Sequence, residues 1–299
     1  MKSPNIVIFG FVMAALQLSC EDVIDIQTAE APKQVVVDAW INNQLSTQTI
    51  RITSSQPYFN PDFAEAVTGA LVEVSSSTGE KYVFEETSPG TYQWSPANGE
   101  IIGTPGDNFE LTASLSDQTL TANSTMFPVP EIDSIAQEFR ENELGGPDGI
   151  YTQFLARDLP GLGNTYWIKT YKNDQYLNKP EEINLAFDAG FDGGSQIDGI
   201  IFIPPIRELI NPVPDSTESA NDIPPYVAGD KVRVEIHSIT FEAFRFMESV
   251  RDQILNGSNT IFASPISNSK GNINSDKTNT EVLGVFCVSA VESEEKVIE

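Results

Sequence analysis

Behind a polar stretch, "EDVIDIQTAEAPK", the chain breaks into short β-branched runs, "QVVVDAWI" from Gln34 and "TQTIRITSS" from Thr47. Apolar positions that recur every second residue over such lengths are the period of a strand with one face buried. "ALVEVSSSTGEKYVFEE" extends the pattern into a hairpin. Leu71, Val72 and Val74 lie on one arm, Tyr82 and Phe84 on the other, and Ser77-Thr78-Gly79 makes the turn. "GTYQW" and "FELTASLSDQTLTANSTMF" continue it, the second turning again at Ser116-Asp117. Closely spaced strands without helical period predict an antiparallel, Ig-like β-sandwich over residues 33–125.

The pattern halts at "FPVPEID". Two prolines within four residues remove backbone donors and fix an extended path, so a domain boundary is expected there. A second β-rich domain, 131–299, follows. Its strands are "IYTQFLARD", "NTYWIKTYK", "GIIFIPP", "DKVRVEIHSI" and "EVLGVFCVSAV", separated by long loops rich in Gly, Asp, Asn and Pro. One segment has a different period. "TFEAFRFMESVRDQILNG" sets Phe241, Phe244, Met247, Val250 and Ile254 three and four residues apart, the face of one amphipathic helix near 241–256, capped at Asn256-Gly257. Such a stripe is the normal core-facing side of a helix on a sheet. The fold class is thus mostly β with a single amphipathic helix.

The first nineteen residues stand apart. One lysine precedes an apolar run from Ile6 to Leu18, too short for a bilayer core that takes about 20 apolar residues as helix, but matching the apolar centre of a secretory signal. The run ends at "LQLSC", which resembles a bacterial lipobox: a small residue, Ser19, precedes Cys20, although Gln17 stands where that pattern prefers Leu. Residues 1–19 are then a signal peptide, Cys20 carries the lipid, and 20–32 form a tether. Glu21 and Asp22, directly behind the cysteine, resemble the Bacteroidetes signal that directs lipoproteins to the outer face of the outer membrane. Each buried lipid CH₂ contributes about 0.8 kcal/mol, so two or three chains anchor stably where one does not. The other cysteine, Cys287, sits within an apolar strand and is expected to be a buried thiol, not the disulfide partner of Cys20.

Charge narrows the function. The chain holds 43 acidic against 17 basic residues, a formal −26, and loss of residues 1–19 removes only Lys2 and leaves −27. A surface this negative repels phosphate backbones, and no basic stretch offers them a site, which excludes nucleic acid. The only histidine, His237, falls among Arg233 and Glu235 on the polar side of "KVRVEIHSI", opposite Val232, Val234 and Ile236, and is expected at the surface. Asp188, Asp192 and Asp198 in "DAGFDGGSQIDG" offer oxygens to a cation such as calcium, but their spacing is not that of an EF-hand and no Glu closes the loop. No phosphate-binding glycine loop, zinc spacing or nucleophile elbow occurs. The expectation is no catalytic residue, no metal and no cofactor beyond the lipid.

"FASPISNSKGNINSDKTNTEVLGVFCVSAV" resembles the closing motif of the DUF4249 lipoproteins of Bacteroidetes, with its G-N-I turn and L-G-x-F strand. "ARDLPGLGNTYWIK" is similar to that family's D-x-P-G-x-x-N-x-Y segment, at Asp158, Pro160, Gly161, Asn164 and Tyr166; "QVVVDAWI" resembles its first strand, and the helix from Phe241 stands where the family has one. The resemblance implies a surface lipoprotein of the outer membrane, a non-catalytic accessory or substrate-capturing partner of a TonB-dependent transporter, with an unknown small cargo. An adhesive or structural surface lipoprotein is the first alternative and a surface hydrolase the second.

Overall fold

A computed structural model describes residues 32–57, 60, 62–97, 99–141, 147–191, 193, 197–214, 224–256 and 267–299. The signal segment with Cys20, Glu21 and Asp22 lies outside the described residues, as does Asp192. The protein is mostly β. Its strands are β1 (Val35–Asn42), β2 (Gln48–Ser54), β3 (Leu71–Ser76), β4 (Lys81–Ser88), β5 (Thr91–Trp94), β6 (Asn108–Ser114), β7 (Thr119–Thr125), β8 (Ile132–Arg140), β9 (Gly149–Ala156), β10 (Thr165–Lys172), β11 (Gln175–Tyr176), β12 (Asn184–Phe187), β13 (Lys231–Ser238), β14 (Asn274–Ser275) and β15 (Leu283–Val297). Two α-helices are described, α1 (Pro204–Glu208) and α2 (Phe241–Asn256).

Thirteen strands form one sheet in the order β11-β10-β13-β15-β1-β2-β5-β4-β3-β6-β7-β14, with β12 added to β10; β8 and β9 pair separately. The expected sandwich is there, but it is not purely antiparallel. β1 runs parallel to β15, Val37 opposite Gly284 and Trp40 opposite Cys287. Strand β4 pairs with both β3 and β5, so the sheet folds over it and encloses Ile50, Val74, Tyr82, Phe109 and Leu111. β7 closes against β15, where the Val288 amide donates to Ser124 Oγ at 2.9 Å.

The boundary expected at "FPVPEID" does not separate two bodies: Lys33–Glu299 is one compact unit. Two cores do lie on either side of it, the sandwich core and one around Phe154, Tyr166, Phe202 and Tyr226. They are joined by β15, whose first half lies along β1 and whose second half lies along β13. Phe286 and Val288 point into the sandwich, while Val285 and Cys287 point to the other face, under α2. A strand buried on both faces needs an unbroken apolar run, which "LGVFCVSAV" supplies.

Three other expectations shift. "GIIFIPP" is no strand: Ile201 makes one isolated bridge with Arg157, and Pro204-Pro205 open α1, since proline suits a first helical turn that needs no N–H donor. β8, with its run "IDSIAQEFR", begins directly behind the prolines and is not among the expected strands. In α2, Thr240 caps the N-terminus, its Oγ1 accepting from the Ala243 amide, and Phe244 and Met247 are buried as expected; Phe241 and Ile254 are half exposed. The buried face is centred on Ala243, Phe244 and Met247, one step round from the expected stripe.

Candidate functional site

Two clusters of ionisable side chains lie on either side of β10. The first gathers acids. Asp158, at the end of β9, and Asp188 and Asp198 from the glycine-rich loop bring one oxygen each to within 4.8 Å of one another. Asp158 is the residue that sequence reading left out of this loop's candidate set, being thirty positions away from Asp188. Its distance along the chain hid it. All three carboxylates already hold hydrogen bonds, two of them to the turn before β10. Asp188 Oδ1 accepts from the Gly163 and Asn164 amides at 2.7 and 2.9 Å, and Asp198 Oδ1 accepts from the Gly161 amide at 2.8 Å. Asp158 accepts from the Tyr166 hydroxyl at 2.7 Å and from the Gly199 amide at 3.0 Å. Burial pushes the Asp158 carboxyl up; its two hydrogen bonds pull back, and the charges of Asp188 and Asp198 add to the rise. Three oxygens of this kind can hold a hard cation. What they visibly do is stitch together a turn whose Gly161 and Gly163 have positive φ and donate their amides to Asp198 and Asp188.

The second cluster covers the face of the sheet next to α2. Register fixes its membership, because side chains of directly paired residues share a face. Trp167 and Lys169 of β10 lie opposite His237 and Glu235 of β13, and Cys287 of β15 lies opposite Trp40 of β1, which also carries Asp38. Strands β13 and β15 separate β10 from β1, yet the Trp40 and Trp167 ring centroids come within 4.9 Å, edge to face. The side chains of the outer strands converge.

His237 is therefore not at the surface. It is 4% exposed. The alternation along β13 assigned it to the right side of the strand; what the pattern could not show is that side chains of the neighbouring strands, Trp167 and Ser289, cover that side too. Burial pulls its pKa down to about 4, aided by the nearby Lys169 charge and opposed by Glu235. As a neutral ring it donates from Nε2 to Glu235 Oε2 at 3.2 Å, while Nδ1 lies 3.3 Å from the Ser289 hydroxyl. That hydroxyl is also 3.3 Å from the Ile41 carbonyl, so one proton serves two acceptors. Glu235 is the hub: Oε1 accepts from Arg233, and Oε2 also accepts from the Tyr171 hydroxyl at 3.2 Å. Burial works to raise its pKa, but the hydrogen bond from His237 and the charges of Arg233 and Lys169 outweigh it and hold the carboxyl below its usual range. Arg233 also stacks 3.8 Å from the centroid of the Tyr171 ring.

Lys169 is the member without a hydrogen-bonding partner. Its ammonium lies 4.0 Å from the centroid of the Trp167 ring, and among the described residues it makes no hydrogen bond or ion pair. Burial pulls its pKa down to about 8, against the pull of Glu235, Cys287 and Asp38. Asp38 is reached by solvent, yet protein crowds its carboxyl, and desolvation raises its pKa against the charges of Arg51 and Lys169. Cys287 is a free, buried thiol, as its apolar run suggested, and burial pushes it up to about 11. It is no nucleophile at neutral pH.

The sequence matches the profile of a family described as Domain of unknown function (DUF4249) over residues 21–295. The chain belongs to this family. No curated protein matches it. The motifs that carried the DUF4249 resemblance now have physical roles. The D-x-P-G-x-x-N-x-Y segment is the braced turn of the acidic cluster, with Asn164 Nδ2 donating to the Leu159 and Gly161 carbonyls. In the closing motif of this DUF4249 chain, Asn272 imitates a strand residue, accepting from the Phe286 amide at 2.9 Å and donating to its carbonyl at 2.8 Å. A Cβ on Gly271 would lie 1.6 Å from the Gly284 carbonyl oxygen, and one on Gly284 would lie 1.9 Å from that of Val37. Backbone rests on backbone there, in three layers.

Proposed function

We propose that this DUF4249 protein is a lipid-anchored, surface-exposed accessory of the outer membrane of Bacteroidetes, non-catalytic, which works beside a TonB-dependent transporter and captures its cargo. The observation that carries the reading is the order of segments at the N-terminus. A thirteen-residue apolar run, Ile6 to Leu18, is followed after Ser19 by Cys20, acids follow at Glu21 and Asp22, the family match begins at residue 21, and the β body starts at Lys33. That is a folded domain on a short acidic leash from a lipid-attachment site. The chemistry of the body supports a binding role: its lone histidine is buried and neutral, its one described cysteine is a buried thiol, and the clustered Asp158, Asp188 and Asp198 accept hydrogen bonds that brace a turn. The adhesive reading shares the anchor and differs only in the partner.

Two experiments test this. In the native host, Cys20→Ala is expected to leave the precursor uncleaved or to release the protein from membranes; unchanged mass and unchanged membrane attachment refute the lipid. Tagged protein extracted in mild detergent is expected to bring down a TonB-dependent β-barrel, recognised by mass spectrometry. Recovery of the lipoprotein alone in several detergents favours adhesion.

A further inference from the structure

We propose that Trp40, Trp167 and Lys169 form a binding site for a small organic monocarboxylate with a flat apolar body. Two donors here have no protein acceptor among the described residues. Lys169 carries three N–H donors, and among the described residues its ammonium rests on the Trp167 ring face without a hydrogen-bond acceptor. The Trp167 side chain is 9% exposed, and its indole Nε1–H finds no acceptor either. The Tyr176 hydroxyl lies alongside this indole, near enough for the N–H to affect its titration but outside hydrogen-bonding geometry. A buried donor without an acceptor is costly: the indole Nε1–H is one, and the half-covered Lys169 ammonium beside the same ring has no protein acceptor among the described residues.

The acids nearby do not meet that need. Glu235 is held by Arg233, His237 and Tyr171, and Asp38 faces Arg51 directly across the β1–β2 pair. Both unmet groups are donors and one is a cation, so the missing component is an anionic acceptor. Its body follows from the walls. Trp40 meets Trp167 edge to face, an aromatic corner whose exposed part suits a planar apolar group. Access is from the β1 side, where Asp38 is exposed and Trp40 and Lys169 are only partly covered. Asp38 also sets a limit on charge. A second carboxylate on the ligand would lie against it, so a monoanion is favoured over a dianion.

The test uses the full chain in detergent, with phenylacetate as probe, phenylacetamide as its neutral counterpart and phenylmalonate as its dianion. Isothermal titration or saturation-transfer NMR should give saturable binding of one phenylacetate per chain, at least about tenfold tighter than either comparison compound, the loss expected when one charged hydrogen bond is missing. Lys169→Met keeps the stem on the indole and should bring phenylacetate down to the level of phenylacetamide, while Lys169→Arg should stay within severalfold of the parent. Trp40→Ala removes the other wall and should weaken phenylacetate by a similar factor, which keeps the test decisive if one variant fails to fold. Equal binding of acid and amide, no saturable binding of phenylacetate, or unchanged binding by a folded Lys169→Met overturns the site. None of these variants touches Cys20, so this result and the membrane reading stand or fall separately.

Discussion

At the scale of single residues, burial acts on His237 and Lys169 in the same direction, and the consequences fall at opposite ends of the pH range. His237 has a folded pKa of about 4, against about 6.5 in an unfolded chain. Between these values the unfolded chain takes a proton that the folded one refuses, so stability falls as pH drops through the window, by about 3 kcal/mol in total. Glu235, held below its usual range, adds a loss at the lower end of the same descent. Urea melts at pH 7, 5.5 and 4 should show this slope, and His237→Gln should remove the part between 6.5 and 4. Lys169 gives the opposite window. Its folded pKa of about 8 lies below the unfolded value of about 10.5, so the cost of burying its charge is present below pH 8 and relieved as pH rises between the two. Lys169→Met should flatten that rise. Gly284 has no titration to measure but is equally constrained: its φ is +95°, and a Cβ would strike the Val37 carbonyl. Gly284→Ala is expected to cost about 3 kcal/mol or more in chemical unfolding, combining a strained backbone with a clash that only strand displacement relieves.

At the scale of elements, α2 shows how a helix can be correctly placed along the chain and still present another face. The spacing of Phe241, Phe244, Met247, Val250 and Ile254 admits several adjacent stripes, and the sheet beneath selects the one through Ala243, Phe244 and Met247. Phe244→Ala should therefore cost about 3–5 kcal/mol, the usual range for a buried phenylalanine. Phe241→Ala, with half its surface exposed, should cost under about 1 kcal/mol. The same contest between local and distant forces decides "GIIFIPP". Its β-branched residues favour a strand, but the prolines deny the sheet two donors, and Phe202 and Ile206 gain more by packing into the second core.

At the scale of the whole molecule, β15 joins what the prolines seemed to divide. It supplies Phe286, Val288 and Ala290 to the sandwich core and pairs β1 through its first half, although almost the entire chain separates the two strands. A fragment ending at residue 125 would expose one edge of β1 and open the sandwich core. It is expected to lack a cooperative unfolding transition by circular dichroism, whereas the full chain should unfold in one step across both cores. A fragment 33–125 that melts cooperatively would show that the sandwich is independent of its last strand.

Sequence alone determined what depends on near neighbours. The period of two in "QVVVDAWI" and "DKVRVEIHSI", the turns at Ser77-Thr78-Gly79 and Ser116-Asp117, the helix beginning at Phe241 and the burial of Cys287 all follow from patterns a few residues long. Alternation even sorted Arg233, Glu235 and His237 onto one side of β13. Tertiary structure decided what lies over that side. A pattern of two states which residues face together but not whether solvent or another element faces them, so a polar row covered by Tyr171 and Trp167 reads the same as a polar row in water. The meeting of Asp158 with Asp188 and Asp198, and of Trp40 with Trp167 and Lys169, has the same origin. The acids meet because β12 pairs with β10 and the loop behind it folds onto the turn that opens β10, and the tryptophans meet because β1 pairs with β15 and side chains converge above it.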